Sequence, residues 1–77
     1  MLFHSIGKER KSEIEALFHE VQINLENNYK DLAIGARKQA EEKLKAYEDS
    51  GELKGKDLEK LKTKLAEYTK RMEGYHH

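Results

Sequence analysis

The chain has 77 residues, with 36% hydrophobic and 39% charged side chains, 15 cationic and 15 acidic groups, and a formal net charge of zero. This length holds one domain, residues 1–77, and the charge balance argues against a dedicated nucleic-acid binder or a polybasic membrane-surface binder. Cysteine is absent, which excludes disulfides and thiolate zinc sites.

No apolar run approaches the ~20 residues needed to span a bilayer. The start, Met1 to Gly7, has neither a basic leader nor a long apolar stretch of the signal-peptide kind. The expected location is the cytoplasm, without membrane contact. Proline is also absent, so nothing interrupts long helices by removing a backbone donor.

Residues 1–11 read as an N-terminal arm or a helix extension. Ser12 and Glu15 have capping-box spacing, in which hydroxyl and carboxylate satisfy backbone amides at a helix start. Ser5 is a competing start, because Phe3 and Ile6 lie close to the same stripe. Behind the box, Ile14, Leu17, Phe18, Val21 and Leu25 recur at intervals of three and four, on one helical face. Tyr29, Leu32, Ala33, Ala36, Ala40, Leu44 and Tyr47 continue the pattern, with small alanines in the middle.

Asn27-Asn28 is the ambiguous point. Asparagine tolerates turns, but the apolar phase carries through from Val21 to Leu32. The expected fold is therefore all-α: a helical hairpin with a long first helix over about 12–49 and a shorter antiparallel helix over about 57–73. The alternative is a monomeric three-helix bundle with a break at 27–28.

The long helix should stop at Ser50-Gly51, since glycine accepts the left-handed conformation of a C-terminal cap. Residues 51–56 form the inter-helix loop, with Leu53 plugging the end of the core. Asp57 is a good N-cap for the last helix. Leu58, Leu61, Leu65, Tyr68 and Met72 give that helix an a/d pattern. Gly74 closes it, and 74–77 is a tail.

A helix over 12–49 would be roughly 57 Å long, against about 26 Å for the last one. The short helix could cover only half of the long one. Ile14, Leu17, Phe18, Val21 and Leu25 would then stand in water and act as an association stripe. The partner implied is a second copy, two hairpins making a homodimeric four-helix bundle.

Asn24, Asn27, Asn28 and Asp31 form the densest polar cluster. Asparagine side chains compete for backbone groups inside helices, so the cluster is either a turn, a register pin or a partner-recognition site. Ile23 and Ile34 sit off the main stripe, as edge-of-core residues or as a second small contact. Lys56, Lys60 and Lys64 form an i,i+4 stripe within Lys54–Lys64 that could meet phosphates. Glu59 and Glu67 interrupt that stripe, and no recognised nucleic-acid motif accompanies it.

No catalytic constellation emerges. The histidines are His4, His19, His76 and His77, and none has the spacing of a zinc or di-iron site. Ser5, Ser12 and Ser50 have turn or cap roles and no cue for a general base. No cofactor is expected. The function expected is that of a small, non-catalytic protein-protein interaction module, self-associating and open to a regulatory role; the alternative is a nucleic-acid-binding accessory protein using the Lys54–Lys64 stripe.

Overall fold

The computed structural model describes the backbone of residues 2–73 and the side chains of residues 6–73. Three helices follow one another: α1, Leu2–Glu26; α2, Lys30–Ser50; and α3, Gly55–Arg71. No strand occurs among the described residues. Gly74 and the histidines at 76 and 77 lie outside the described residues, and the side chain of His4 lies outside those described.

The continuous helix expected over 12–49 is corrected: the chain breaks between α1 and α2. Asn28 has φ of 66°, the only positive value among the described non-glycine residues. Asn28 N–H donates to Leu25 C=O at 3.1 Å, and Tyr29 N–H to Asn24 C=O at 2.7 Å. This pair of bonds is a Schellman cap, which satisfies carbonyls that a helix end would otherwise strand. Asparagine follows glycine in tolerance for the left-handed conformation. Preserved apolar phase was therefore a poor guide, because local capping chemistry decides where the helix ends. The 44 Å long axis of the molecule is also too short for a helix of about 57 Å.

α1 starts earlier than Ser12, so the capping-box reading is corrected too. Ile6 and Arg10 are half-buried and precede Ile14 at i,i+4 steps, which extends the inner face by two turns. Ser12 is then an exposed residue inside the helix. At the far end of α2, Gly51 takes φ of 81° and its N–H donates to Glu48 C=O at 3.1 Å. Leu53 N–H reaches back to Tyr47 C=O at 3.1 Å, and Leu53 is buried over the core end. α3 begins at Gly55, two residues before Asp57, with Lys54 as the capping residue.

Ion pairs give the topology. Glu13 meets Lys43, and Glu48 meets Lys62, so α2 runs antiparallel to both neighbours. Lys11 meets Asp57, and Tyr68 OH donates to Gln22. These two contacts share one sequence separation, so α1 and α3 run parallel. The core between the helices contains Ile14, Leu17, Phe18 and Val21 from α1, and Ala33, Ala36, Ala40 and Leu44 from α2. Leu58, Leu61 and Tyr68 of α3 and Met72 beyond it close the third side. The alanines keep α2 thin where the large α1 side chains press on it. Phe18 and Tyr68 rings meet with centroids 5.6 Å apart, in the tilted geometry that aromatic pairs favour.

The cap and the core can be weighed separately. Asn28→Gly should leave stability unchanged or slightly higher, whereas Asn28→Val should cost about 1–2 kcal/mol, because a branched side chain is strained in the left-handed region. Urea unfolding of the two variants measures the difference.

Candidate functional site

The stripe expected to associate is interior. Ile14, Leu17, Phe18 and Val21 are all buried within the one chain, and Leu25 is half-buried against them. The expectation of a bare stripe assumed that only a short helix was available to cover it. With the break at Asn28, α2 and α3 both pack on α1, and the surface that would have joined a second copy is already occupied.

The polar cluster is split by the same break. Asn24 is half-buried, while Asn27, Asn28 and Asp31 are exposed. Asn24 and Asn28 supply backbone groups to the cap, which makes the cluster primarily a turn. Lys56, Lys60 and Lys64 are exposed along α3. Glu59 and Glu67 border the same shallow surface as Lys60 and Lys64, so the local field is mixed. Ile34 is half-buried and packs on the core. Ile23 is exposed.

Among the described residues three large apolar side chains stay outside: Ile23 at 40%, Tyr29 at 57% and Leu32 at 60% exposure. Tyr29 and Leu32 were expected on the main stripe; the turn rotates them off it. Ile23 and Leu32 face each other across a groove between α1 and α2 of about 450 Å³. Glu20, Asn24, Gly35, Ala36 and Gln39 complete its lining. None of the α3 residues lines it, so it runs along the open side of the α1–α2 pair.

The groove continues a second helical pattern. On α2, Leu32, Gly35, Gln39, Glu42 and Ala46 follow alternating steps of three and four, and all are exposed. On α1, Ala16, Glu20, Ile23 and Asn27 do the same, and they too are exposed. This a/d spacing was present in the sequence but hidden behind the stronger core stripe. Gly35 stands out within it. A methyl group added there would meet nothing within 4 Å, so no packing inside the chain requires glycine. Yet glycine inside a helix costs about 1 kcal/mol relative to alanine.

A second groove of about 550 Å³ lies between α2 and α3, floored by Leu44, Leu65 and Ala66. Its rim alternates Glu41, Lys45 and Glu48 on α2 with Lys62, Lys70 and Glu73 on and beyond α3. Glu48 and Lys62 already pair across it at 3.1 Å.

The best-organised polar group is structural. Glu13 accepts from Lys43 Nζ at 2.9 Å and Tyr47 OH at 2.8 Å, and Arg10 stands over the Tyr47 ring at 5.0 Å. Hydrogen bonds from Lys43 and then Tyr47 lower the Glu13 pKa below its ordinary 4.5. The Glu13 hydrogen bond raises Lys43 above 10.5 and, with burial, raises Tyr47 above 10.0. These groups tie α1 to α2 beside the loop. Among the described residues no group of three or more His, Asp or Glu side chains is placed to hold a metal, and no helix is long and apolar enough to cross a membrane.

Compared with protein-family models, with curated proteins and with solved structures, the chain has no match.

Two outcomes follow from the charges. The lowered Glu13 pKa contributes stability above pH 4.5 that is lost as pH falls through the folded value. The raised Lys43 and Tyr47 pKa values contribute stability below 10.5 and 10.0 that is lost as pH rises through their folded values. Glu13→Gln should therefore destabilise near neutral pH and flatten both limbs of the stability–pH curve, as read by urea unfolding across pH. For the lysine stripe, titration against short DNA and RNA at two salt concentrations should show no binding, even at low salt; a steep salt slope lost in Lys60→Gln would contradict this.

Proposed function

We propose that the protein is a non-catalytic helical interaction module that binds another protein along the open α1–α2 groove. One observation carries this reading. Of the large apolar side chains left exposed among the described residues, Ile23 and Leu32 line that groove, and Tyr29 lines a depression at the turn that shares Leu32 with it. Isolated apolar residues are ordinary on protein surfaces, but a contiguous set lining a concave strip marks an interaction site.

The mode is helix recognition. Two antiparallel helices with a shared open side present ridges and a trough that accept a third helix from outside. Asn24 and Gln39 line the trough and offer hydrogen bonds to fix register. Self-association through Ile14 to Leu25 is not part of this reading, because those side chains serve the core.

Surface and core roles separate by mutation. Leu32→Glu and Ile23→Glu should each change stability by no more than about 0.5 kcal/mol, as surface substitutions do. Phe18→Ala should cost about 3–5 kcal/mol. In the native cell, a photo-crosslinking residue at position 32 should join a discrete protein, and Ile23→Glu should abolish the adduct. The same residue at position 63 on α3 should give none. Equal labelling from both positions would overturn the proposal.

A further inference from the structure

We infer that the chain has a second packing, a dimer in which two copies exchange α1 through the hinge at Asn27-Asn28-Tyr29. The monomer keeps the break described above. In the exchanged dimer residues 27–29 join α1 and α2 into one helix, and α1 of each copy packs on α2 and α3 of the other.

The choice between the two packings falls to the hinge. Exchange remakes the same core, with Ile14, Phe18 and Val21 buried against the alanines of a partner's α2, so core burial favours neither form. What differs is local. Three residues separate α1 from α2, and none is glycine or proline. Asn28 holds φ of 66°, and Tyr29 precedes α2 without a side-chain capping bond. A continuous helix relieves the left-handed backbone and gives the first N–H groups of α2 the last carbonyls of α1 as partners. Short hinges under strain invite exchange.

The register has the symmetry that exchange needs. Glu13 and Lys43 pair at 2.9 Å between α1 and α2, and they lie equally far either side of Asn28. A two-fold axis at Asn28 between antiparallel copies therefore sets Glu13 of one copy opposite Lys43 of the other, as in the monomer. The same axis brings Leu25 of one copy near Leu32 of its partner.

The exposed side chains at the hinge also gain a use. Tyr29 and Leu32 are the most exposed large apolar residues among those described. Both fall on the apolar phase that runs through Val21 and Leu25. A continuous helix points that phase at the partner copy, and burying it favours the dimer. Against this stands proximity: a short linker holds α1 beside its own α2 at an effective concentration on the order of millimolar. Exchange therefore sets in near that concentration, and the monomer prevails at micromolar ones.

The test refolds wild type, Asn28→Ala and Asn28→Gly from urea across concentrations and follows them by sedimentation equilibrium. Alanine is strained in the left-handed region, and a dimer relieves two hinges at about tenfold each, so Asn28→Ala should dimerise at about a hundredfold lower concentration than wild type. Asn28→Gly should stay monomeric to higher concentration than wild type. Two charge variants separate exchange from side-by-side contact. Glu13→Lys and Lys43→Glu each set like charges together within one chain, and mixing the two restores both opposite-charge pairs only when α1 is exchanged. The mixture should associate about tenfold more tightly than either chain alone. A helical Asn28→Ala that remains monomeric to about 1 mM, the effective concentration of a short linker, would overturn the inference. Dimers that show no preference for the mixture would overturn it as well, by marking surface association. The charge variants keep the native hinge, so they decide the question even if Asn28→Ala fails to fold.

Discussion

Asn28 holds φ of 66°, and the two capping bonds around it turn the chain back on itself. Everything inside the molecule depends on that turn. It places α2 beside α1, brings the loop at Gly51 to the start of the bundle, and leaves α3 a trough in which to lie. The cost of the left-handed backbone is small for asparagine. The return is burial of Ile14, Phe18 and Val21, each contributing about 1.5–3 kcal/mol when fully removed from water. A local strain well under the gain is why the break wins over a straight helix.

The same turn decides which surface is left over. A three-helix arrangement built from one stripe per helix covers its core and exposes outer faces. Most of those faces carry alternating lysine and glutamate, which water satisfies. The open side of α1 and α2 differs, with Ile23, Leu32 and an unfilled notch at Gly35. The Glu13, Lys43 and Tyr47 group at the other end of the helix pair fixes their relative register. The groove is thus a preformed surface on a braced pair of helices, the kind that binds with little reorganisation.

Much of the fold was legible in the residues. Gly51 ends α2 because glycine is indifferent to the left-handed region, and the inward side chains of α3 fall on the a/d positions of its leucines and Tyr68. The break at Asn27-Asn28 was legible only as an alternative. Periodicity reports which residues share a face, but it cannot report a rotation between two helices that leaves the phase nearly intact. The early start of α1 was legible only as an alternative, a helix extension over 1–11, because Ser12 mimics a cap, while the half-buried Ile6 and Arg10 that extend the helix are a weak apolar signal. The groove was missed for a related reason. Leu32 fitted the main stripe on paper, and its exposure follows only from the turn at Tyr29. Of its other members, Ile23 had been paired with Ile34 off the main stripe, as an edge-of-core residue or a second small contact, and Asn24 placed in the polar cluster, so the sequence did not bring the two together.

The most direct test is a spin-label distance. The chain has no cysteine, so cysteines placed at Ser12 and Lys45 report alone, and dilution into unlabelled protein isolates distances within one chain. With the turn at Asn28, the labels sit across a packed helix pair, about 8–10 Å between axes plus the label arms. A continuous helix would put them about 50 Å apart. A short, narrow distribution is the result this account requires, and a distribution centred near the long value would contradict it.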